Sequence, residues 1–156
     1  YCNKLKRKPF IGNVAVAFLT GVSIYLIGFH YQKNELFVFT YALFAFFLNL
    51  IRELLKDIED QTGDHLHGSQ TLPIVLGFRK TKQVIYVIAM VFIGAIFTVT
   101  GLLNDPSLFI YFGVLGIPFS WFMWKIYRAD RKEQFTQLST LAKVLMLVGT
   151  LSMAFL

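Results

Sequence analysis

The chain has 156 residues, of which 56% are hydrophobic and only 15% are charged, and its formal net charge is +6. Soluble domains carry roughly a quarter of charged residues, so this composition excludes a water-soluble protein of this size. It also excludes a disordered chain, a collagen and a coiled coil. Cys2 is the single cysteine, which excludes a small disulfide-stabilised scaffold.

Long apolar runs separated by short charged segments organise the chain. A helix needs about 20 mainly apolar residues to cross a bilayer. Five runs approach this length, over residues 10–29, 36–51, 84–103, 108–124 and 137–156. The second run continues as a helical pattern toward Asp57, and the fifth contains one charge, Lys143, which reaches either the membrane interface or a polar cavity. We therefore predict an all-α polytopic transmembrane bundle, with five spanning helices in a single domain over residues 1–156.

The basic residues predict the orientation of these spans. Thirteen of the 15 Lys and Arg residues fall in the N-terminal segment and in the second and fourth segments between spans, whereas the opposite side carries Lys33 alone. Because Lys and Arg accumulate on the cytoplasmic side of a membrane, we expect a cytoplasmic N-terminus and an external C-terminus. Topology then accounts for the net charge, and we expect no nucleic acid as a partner.

Small and polar residues in the first span indicate contacts between helices. Gly12, Gly21, Gly28 and Ser23 lie along it, and small residues let the backbones of two membrane helices approach closely. We expect this glycine face to have no partner among the other predicted spans. Asn13, in the same span, either forms a hydrogen bond to another helix or reaches a substrate, and we favour the first role.

The residues with the most informative chemistry lie in residues 49–77. Asp57, Asp60 and Asp64 are spaced i, i+3 and i+7, so on a helix they lie within roughly a 60° arc, and Glu53 extends this face toward the membrane. Like charges one turn apart repel, and carboxylates at the mouth of a membrane bundle are costly unless something neutralises them. Mg²⁺ takes one or two carboxylates together with substrate phosphates, so this acidic stripe suits a metal-held diphosphate. A solvated acidic face with basic partners is the alternative.

Neighbouring residues of the same segment are expected to lie elsewhere or to limit the stripe. Asn49 continues the line of the stripe into the membrane. Gly63 is a candidate helix end before Asp64, which makes Asp64 less secure than the other two aspartates. His65 and His67 form a candidate zinc pair, but they lack further ligands at suitable spacing. The residues expected on other faces of the helix are Arg52, Lys56 and Glu59.

The segment resembles the second aspartate-rich motif of the UbiA superfamily of intramembrane prenyltransferases. The matching residues are Arg52-Glu53, Lys56-Asp57-Ile58-Glu59-Asp60, Gly63-Asp64, Gly68, Thr71-Leu72-Pro73 and Gly77. The N-terminal residues resemble the family segment before its fifth helix, in which a Tyr and a following Lys bind diphosphate. Tyr1 and Lys6 are the counterparts here, and Lys4 is the alternative to Lys6. The five predicted spans correspond to the last five of the family's nine helices.

The resemblance implies Mg²⁺-dependent transfer of a polyprenyl group from its diphosphate to an apolar or aromatic acceptor. The catalytic and metal-binding residues that it implies are Asp57, Asp60 and Asp64, with Glu53 as a further metal ligand. The implied diphosphate-binding residues are Tyr1, Lys6, Arg79 and Lys80. The site would face the cytoplasm from a bacterial or archaeal plasma membrane, and the form of the motif favours the branch that prenylates glycerol-phosphate lipids.

The family's other aspartate motif, of Asn-Asp-x-x-Asp type, does not occur in this sequence. Family members clamp the diphosphate between two opposed motifs. We therefore expect the chain to correspond to the C-terminal part of such an enzyme, to be inactive alone, and to need the family's N-terminal helices as partners beside the membrane lipids.

Other interpretations stay open at this point. Phe44, Phe46 and Phe47 either surround an isoprenoid tail or a cationic centre, or simply pack against other helices. A transporter would place polar groups near the membrane midplane on broken helices, whereas the charges here cluster at one mouth. A phosphatidyltransferase that uses CDP-alcohols would show Asp-Gly followed by Ala-Arg, which the chain lacks. A non-catalytic membrane protein is the remaining alternative.

Overall fold

The computed structural model describes residues 10–30, 35–66, 68–103 and 106–152, and all the regular elements within these ranges are helices. The elements follow in chain order as α1 (Ile11–His30), α2 (Glu35–Glu59), α3 (Gln61–Leu66), α4 (Leu72–Leu76), α5 (Phe78–Leu103), α6 (Pro106–Arg128) and α7 (Lys132–Ser152). The predicted all-α class is confirmed.

Within the described ranges, four helices are long and apolar enough to cross a membrane, over Ile11–His30, Val38–Glu59, Phe78–Leu102 and Phe109–Arg128. They correspond to the first four predicted spans. The fifth prediction coincides with a helix, α7, but the described part of α7 does not qualify, because its first turns are polar and residues 153–156 lie outside the described ranges. Lys143 is exposed on α7.

Helix α2 is the centre of the bundle. It packs against α1, α5 and α7, while α6 contacts α5 and α7. Since neighbours surround α2 on three sides, consecutive residues as well as residues one turn apart are buried along it, including Leu48, Ile51, Leu54 and Leu55. In contrast, α1 contacts only α2 among the described helices.

Two contacts show which helix ends lie together. Thr136 Oγ1, near the start of α7, donates a hydrogen bond of 2.9 Å to Glu59 Oε1 at the end of α2. Lys82 Nζ, near the start of α5, donates to the carbonyl of Ala129, which directly follows α6, over 2.6 Å. Residues 129–131 then lead straight into α7. The end of α2, the start of α5, the end of α6 and the start of α7 therefore share one end of the bundle, which we call the carboxylate end.

Glycines let α1 approach α2 closely. Gly21 and Gly28 are buried, and a Cβ atom on Gly21 would lie 3.1 Å from the carbonyl oxygen of Ala42. A Cβ atom on Gly28 would overlap the side chain of Val38. The predicted close packing is thus confirmed for these two glycines, whereas Ser23 is exposed and bonds within α1. The expectation that the glycine face lacks a partner in the chain is wrong, because α2 covers it.

Helical hydrogen bonding continues beyond the end of α2. The amide of Asp60 donates to the carbonyl of Lys56 over 2.8 Å, and the amide of Asp64 donates to the carbonyl of Asp60 over 2.9 Å. Gly63, the candidate helix end, therefore does not end the helix before Asp64, because α3 runs through it. A glycine inside a helix costs only about 1 kcal/mol relative to alanine, and the hydrogen bonds on either side of Gly63 maintain the helical turn.

The short helices α3 and α4 fold the chain back toward α2. Gln61 Nε2 donates a hydrogen bond of 3.2 Å to the carbonyl of Pro73, which joins α3 to α4. Gly77 ends α4 with φ +81°, and a positive φ favours glycine. Its amide donates to the Pro73 carbonyl over 3.1 Å, and α5 starts at the next residue. This connection places the start of α5 at the carboxylate end.

Candidate functional site

Two polar side-chain pairs join α1 and α2. Asn13 Nδ2 donates a hydrogen bond of 2.7 Å to Asp57 Oδ2, and Asn49 Nδ2 donates one of 2.8 Å to Thr20 Oγ1. The two polar residues on α1 are about two turns apart, and so are the two on α2. The pairs therefore form successive cross-links between antiparallel helices. The favoured role of Asn13, a hydrogen bond to another helix, is confirmed. The seam between α1 and α2 is therefore polar at the carboxylate end and lined by glycine at the other end.

Four carboxylates gather where this seam meets the carboxylate end. Asp57 is partly buried, and the carboxylates of Asp64, Glu53 and Asp60 are close enough to repel its negative charge. Asp60 is exposed, while Asp64 and Glu53 are partly buried. The structure thus brings the predicted acidic residues into one region. Their roles in catalysis and metal binding stay predictions.

Arg52 lies inside this acidic region. Its guanidinium group forms an ion pair with Glu53, and Nη1 is 3.4 Å from Asn49 Oδ1. The expectation that Arg52 points away from the stripe is wrong, because its long side chain bends toward Glu53 and Asn49. Arg52 Nε is buried and has no hydrogen-bond partner among the described residues. Glu53 is consequently neutralised in part by the chain itself.

The other side of the same helix turn serves a different contact. Glu59 faces α7, where its carboxylate accepts the hydrogen bond from Thr136. Lys56 is exposed. The expected direction of Glu59, away from the stripe, is confirmed, and that of Lys56 stays a prediction. The last turns of α2 thus present Asp57 to α1 and Glu59 to α7.

Two of the four predicted diphosphate-binding residues lie in the described part of the chain. Arg79 and Lys80 are exposed at the start of α5, and neither forms an ion pair with a carboxylate in the described part of the chain. Tyr1 and Lys6 lie outside the described residues. The structure therefore leaves the diphosphate-binding set as a prediction.

Lys82, two positions beyond Lys80, contacts several groups of the chain itself. Its ammonium group donates to the carbonyls of Tyr127 and Ala129 over 3.1 and 2.6 Å. It also lies 3.5 Å from Asp130 Oδ1 and 4.9 Å from the centre of the Phe78 ring. These contacts cap the end of α6, since a cation near the last carbonyls of a helix is favourable.

The sequence profile of the UbiA prenyltransferase family matches residues 1–148. The chain belongs to this family. The digeranylgeranylglyceryl phosphate synthase of Methanosphaera stadtmanae is 31% identical over 164 residues, which cover 99% of this chain and 57% of that protein. The protein of the same name from Thermococcus gammatolerans is 50% identical over 84 residues, which cover 54% of this chain and 30% of that protein.

The digeranylgeranylglyceryl phosphate synthase of Methanoculleus marisnigri is 47% identical over 83 residues, which cover 52% of this chain and 29% of that protein. The chain therefore spans less than two thirds of the length of these curated relatives. No solved structure matches it. Membership of the UbiA family confirms the resemblance found in the aspartate motif and sets aside a CDP-alcohol phosphatidyltransferase.

The carboxylates in the described part of this UbiA family chain do not form a closed metal cage. Within the described ranges, no group of three carboxylate, imidazole or thiol side chains is arranged to hold a metal ion. His67, half of the candidate zinc pair, lies outside those ranges. The acidic region instead offers separate oxygen donors, which suits Mg²⁺ because this ion usually keeps several waters and takes one or two carboxylates with substrate phosphates.

The three candidate phenylalanines of this UbiA chain lie in a connected group of aromatic rings. Phe44 and Phe47 pack against Phe92, with ring centres 5.9 and 5.4 Å apart, and Phe46 meets the edge of Phe47 at 5.0 Å. Phe44 also lines an apolar cavity of about 580 Å³ between α5 and α6. Helix packing thus accounts for most of their contacts, and the cavity lies away from the carboxylates.

Two contacts of the site are not apparent from the motif. Thr20 is the partner of Asn49, and Arg52 is the partner of Glu53. The signal for Thr20 is its spacing of seven residues from Asn13, which places both on one face of a helix. Arg52 carries no such signal, since adjacent residues point in different directions on a helix and only its side-chain conformation brings it to the stripe.

Proposed function

We propose that this protein transfers a prenyl group from a prenyl diphosphate to a hydroxyl group of a glycerol-phosphate lipid within the membrane. Family membership and the names of the curated relatives support this reaction class. The structural observation that carries the proposal is the grouping of Asp57, Asp60 and Asp64 at one end of α2, where Asn13 of α1 holds Asp57.

The proposed reaction exchanges one carbon–oxygen bond for another. The bond between the first prenyl carbon and the diphosphate oxygen breaks, and the diphosphate leaves with the electron pair. The acceptor hydroxyl oxygen forms the new bond to that carbon and loses its proton. Because negative charge grows on the leaving group, the groups that lower the barrier are those that stabilise the departing diphosphate.

The carboxylates would bind the diphosphate through Mg²⁺. Asp57, Asp60 and Asp64 supply the oxygen donors, whereas Glu53 is the weakest candidate because Arg52 already neutralises it. Bound Mg²⁺ stabilises the charge that develops on the leaving diphosphate. Asn13 engages Oδ2 of Asp57 and so fixes the orientation of this carboxylate, which leaves Oδ1 to face the ligand.

Cationic side chains would complete the binding of the diphosphate. The buried Nε of Arg52 is a donor without a partner among the described residues, and an unsatisfied buried donor is costly unless a ligand uses it. Arg79 and Lys80 are exposed at the same end of the bundle. We include them in the proposed diphosphate-binding set with Tyr1 and Lys6.

A transfer assay tests the proposed function directly. We expect no transfer by the 156-residue chain alone, since family members bind diphosphate between two opposed motifs and this sequence has one. Transfer of a radiolabelled prenyl group in the presence of Mg²⁺ should appear when the chain is combined with a polypeptide that carries the remaining helices of a relative. A glycerol-phosphate lipid should be prenylated, and an aromatic quinone precursor should not. Transfer to the aromatic compound alone would overturn the proposed acceptor.

Cysteine labelling tests the proposed orientation, with the carboxylate end in the cytoplasm. In a variant whose Cys2 is replaced by Ser, single cysteines at Ser69 and Ser107 should react with a membrane-impermeant reagent from opposite sides. Ser69 should label from the cytoplasmic side, because most Lys and Arg residues lie at that end. Labelling of both positions from the same side would contradict the proposed topology.

A further inference from the structure

A groove with both polar and apolar side chains lies at the carboxylate end, between the end of α6 and the start of α7. It has a volume of about 230 Å³, and its lining includes Trp124, Lys125, Arg128, Gln134, Gln137 and Leu141. Neither of its two helices contacts α1, so the groove is separate from the carboxylates that face α1. None of the residues that line it is acidic.

The two cations of the groove are ordered by aromatic rings. Lys125 Nζ lies 4.1 Å from the ring centre of Trp121, and the guanidinium carbon of Arg128 lies 4.2 Å from that of Trp124. Cation–π contacts of this kind hold a charge in place without neutralising it. Neither cation forms an ion pair with a carboxylate in the described part of the chain. Both positive charges are therefore available to an anion.

Residues near the start of α7 complete the groove with hydrogen-bond donors. Gln134 Oε1 accepts hydrogen bonds from the amides of Asp130 and Arg131 over 2.8 and 3.0 Å. Its acceptor atom is thus engaged, and its Nε2 group remains as the donor. Lys82 meanwhile caps carbonyls at the end of α6, which reduces the negative potential that those carbonyls would direct at an anion.

We propose that this groove binds the phosphodiester group of an anionic membrane lipid. Arg128 is the last residue of a helix that is able to cross a membrane, so the groove lies where that helix leaves the apolar layer. Trp residues with Lys or Arg mark this level in membrane proteins, and guanidinium groups bind phosphate oxygens in a fixed geometry. Leu141 and the ring of Trp124 line the groove beside the polar groups and supply an apolar surface for the start of an acyl chain, which a soluble phosphate would not need.

Tryptophan fluorescence tests this site, because the chain has two Trp residues and both contact its cations. The chain is reconstituted in phosphatidylcholine nanodiscs that contain either brominated phosphatidylglycerol or brominated phosphatidylcholine. Brominated phosphatidylglycerol should quench more strongly at equal content. In the double variant Lys125→Gln/Arg128→Gln, the affinity for phosphatidylglycerol relative to phosphatidylcholine should fall roughly 30-fold, since each cation near an anionic membrane contributes about a fivefold factor.

Matched variants separate a specific site from general surface charge. Arg131→Gln/Lys132→Gln removes the same charge at the same end from residues that do not line the groove, and it should retain the preference for phosphatidylglycerol. The exchange Lys125→Arg/Arg128→Lys keeps both charges and should retain most of it, which shows that loss in the Gln variant is not misfolding. Equal loss in the two Gln variants would overturn the proposal. Relief of quenching by millimolar sn-glycerol phosphate would also overturn it, because the ligand would then be a soluble phosphate.

Discussion

Two regions at the carboxylate end hold charged side chains in opposite ways. Around Lys82, the protein supplies two carbonyl acceptors, a carboxylate and an aromatic ring, so the charge is satisfied by the chain itself. Around Asp57, the protein supplies one amide donor and three further carboxylates that repel it. The first region neutralises its central charge, and the second accumulates charge of one sign.

This difference separates a structural charge from a candidate functional one. A partly buried charge with complete hydrogen bonding holds helices together, as Lys82 does for α5 and α6. A partly buried carboxylate among like charges destabilises the folded protein unless a cation binds. The contrast between Lys82 and Asp57 therefore predicts that loss of Lys82 lowers stability, whereas loss of Asp57 lowers activity.

The largest expected effect follows from Asp57→Asn, measured in the chain combined with the remaining helices of a relative. Prenyl transfer should fall by about a hundredfold or more, because loss of a metal-binding carboxylate removes several kcal/mol of charge stabilisation and about 1.4 kcal/mol is a factor of ten in rate. The melting temperature should not fall, since the substitution relieves repulsion and keeps an acceptor for Asn13. Glu59→Gln is the matched control and should retain activity within a few-fold. Equal losses in both variants would contradict the assignment of Asp57 to the site.

The second prediction concerns Lys82→Met, which keeps the length of the side chain but removes its charge and donors. The free energy of unfolding in detergent should fall by about 2 kcal/mol, because two carbonyls at the end of α6 lose a charged donor. Arg131 is an exposed cation at the same end of the bundle. The control variant Arg131→Met removes an equal charge and should change the free energy of unfolding by less than about 0.5 kcal/mol. If Lys82→Met unfolds at the same denaturant concentration as the wild type, Lys82 is not the structural charge described here.

A smaller effect is expected for Asn13→Leu, which removes the amide that orients Asp57. Prenyl transfer in the complemented protein should fall by about tenfold, since one hydrogen bond to a charged group contributes about 1.5 kcal/mol. The Mg²⁺ concentration for half-maximal activity should rise, which a purely structural role would not cause. Asn13→Asp serves as the comparison, because it adds a like charge beside Asp57 and should impair transfer further at low Mg²⁺. An unchanged Mg²⁺ dependence in Asn13→Leu would rule out the orienting role.

The smallest expected effect is that of Thr136→Val, which removes the hydrogen bond to Glu59. Thr136 is exposed, so the free energy of unfolding should fall by about 0.5 kcal/mol. Prenyl transfer should be unaffected, because this contact lies on the side of α2 away from Asp57. A tenfold loss of transfer in Thr136→Val would show that the two sides of α2 are not functionally distinct.

The local periodicities of the sequence were sufficient for the long helices and for the acidic stripe. Apolar runs long enough to cross a bilayer predict α1, α2, α5 and α6, and the spacing of Asp57, Asp60 and Asp64 predicts a shared face. These inferences succeed because helix geometry is set by the backbone, so residues three, four or seven positions apart lie near each other whatever packs against them. The same rule correctly predicts that Glu59 lies apart from the stripe.

The partners of the polar residues were decided only by the tertiary structure. Thr20 meets Asn49, Arg52 turns back to Glu53, and Lys82 reaches the carbonyls after α6. Each contact depends on the register of two helices or on a side-chain conformation, and neither is encoded by spacing along one helix. The difference between a neutralised lysine and a set of repelling aspartates thus arises from helix packing. The end of α6 brings carbonyl groups and a carboxylate to Lys82 of α5, whereas α1 brings a single amide donor to Asp57 of α2, so packing determines which charges acquire a counter-charge and which remain for a ligand.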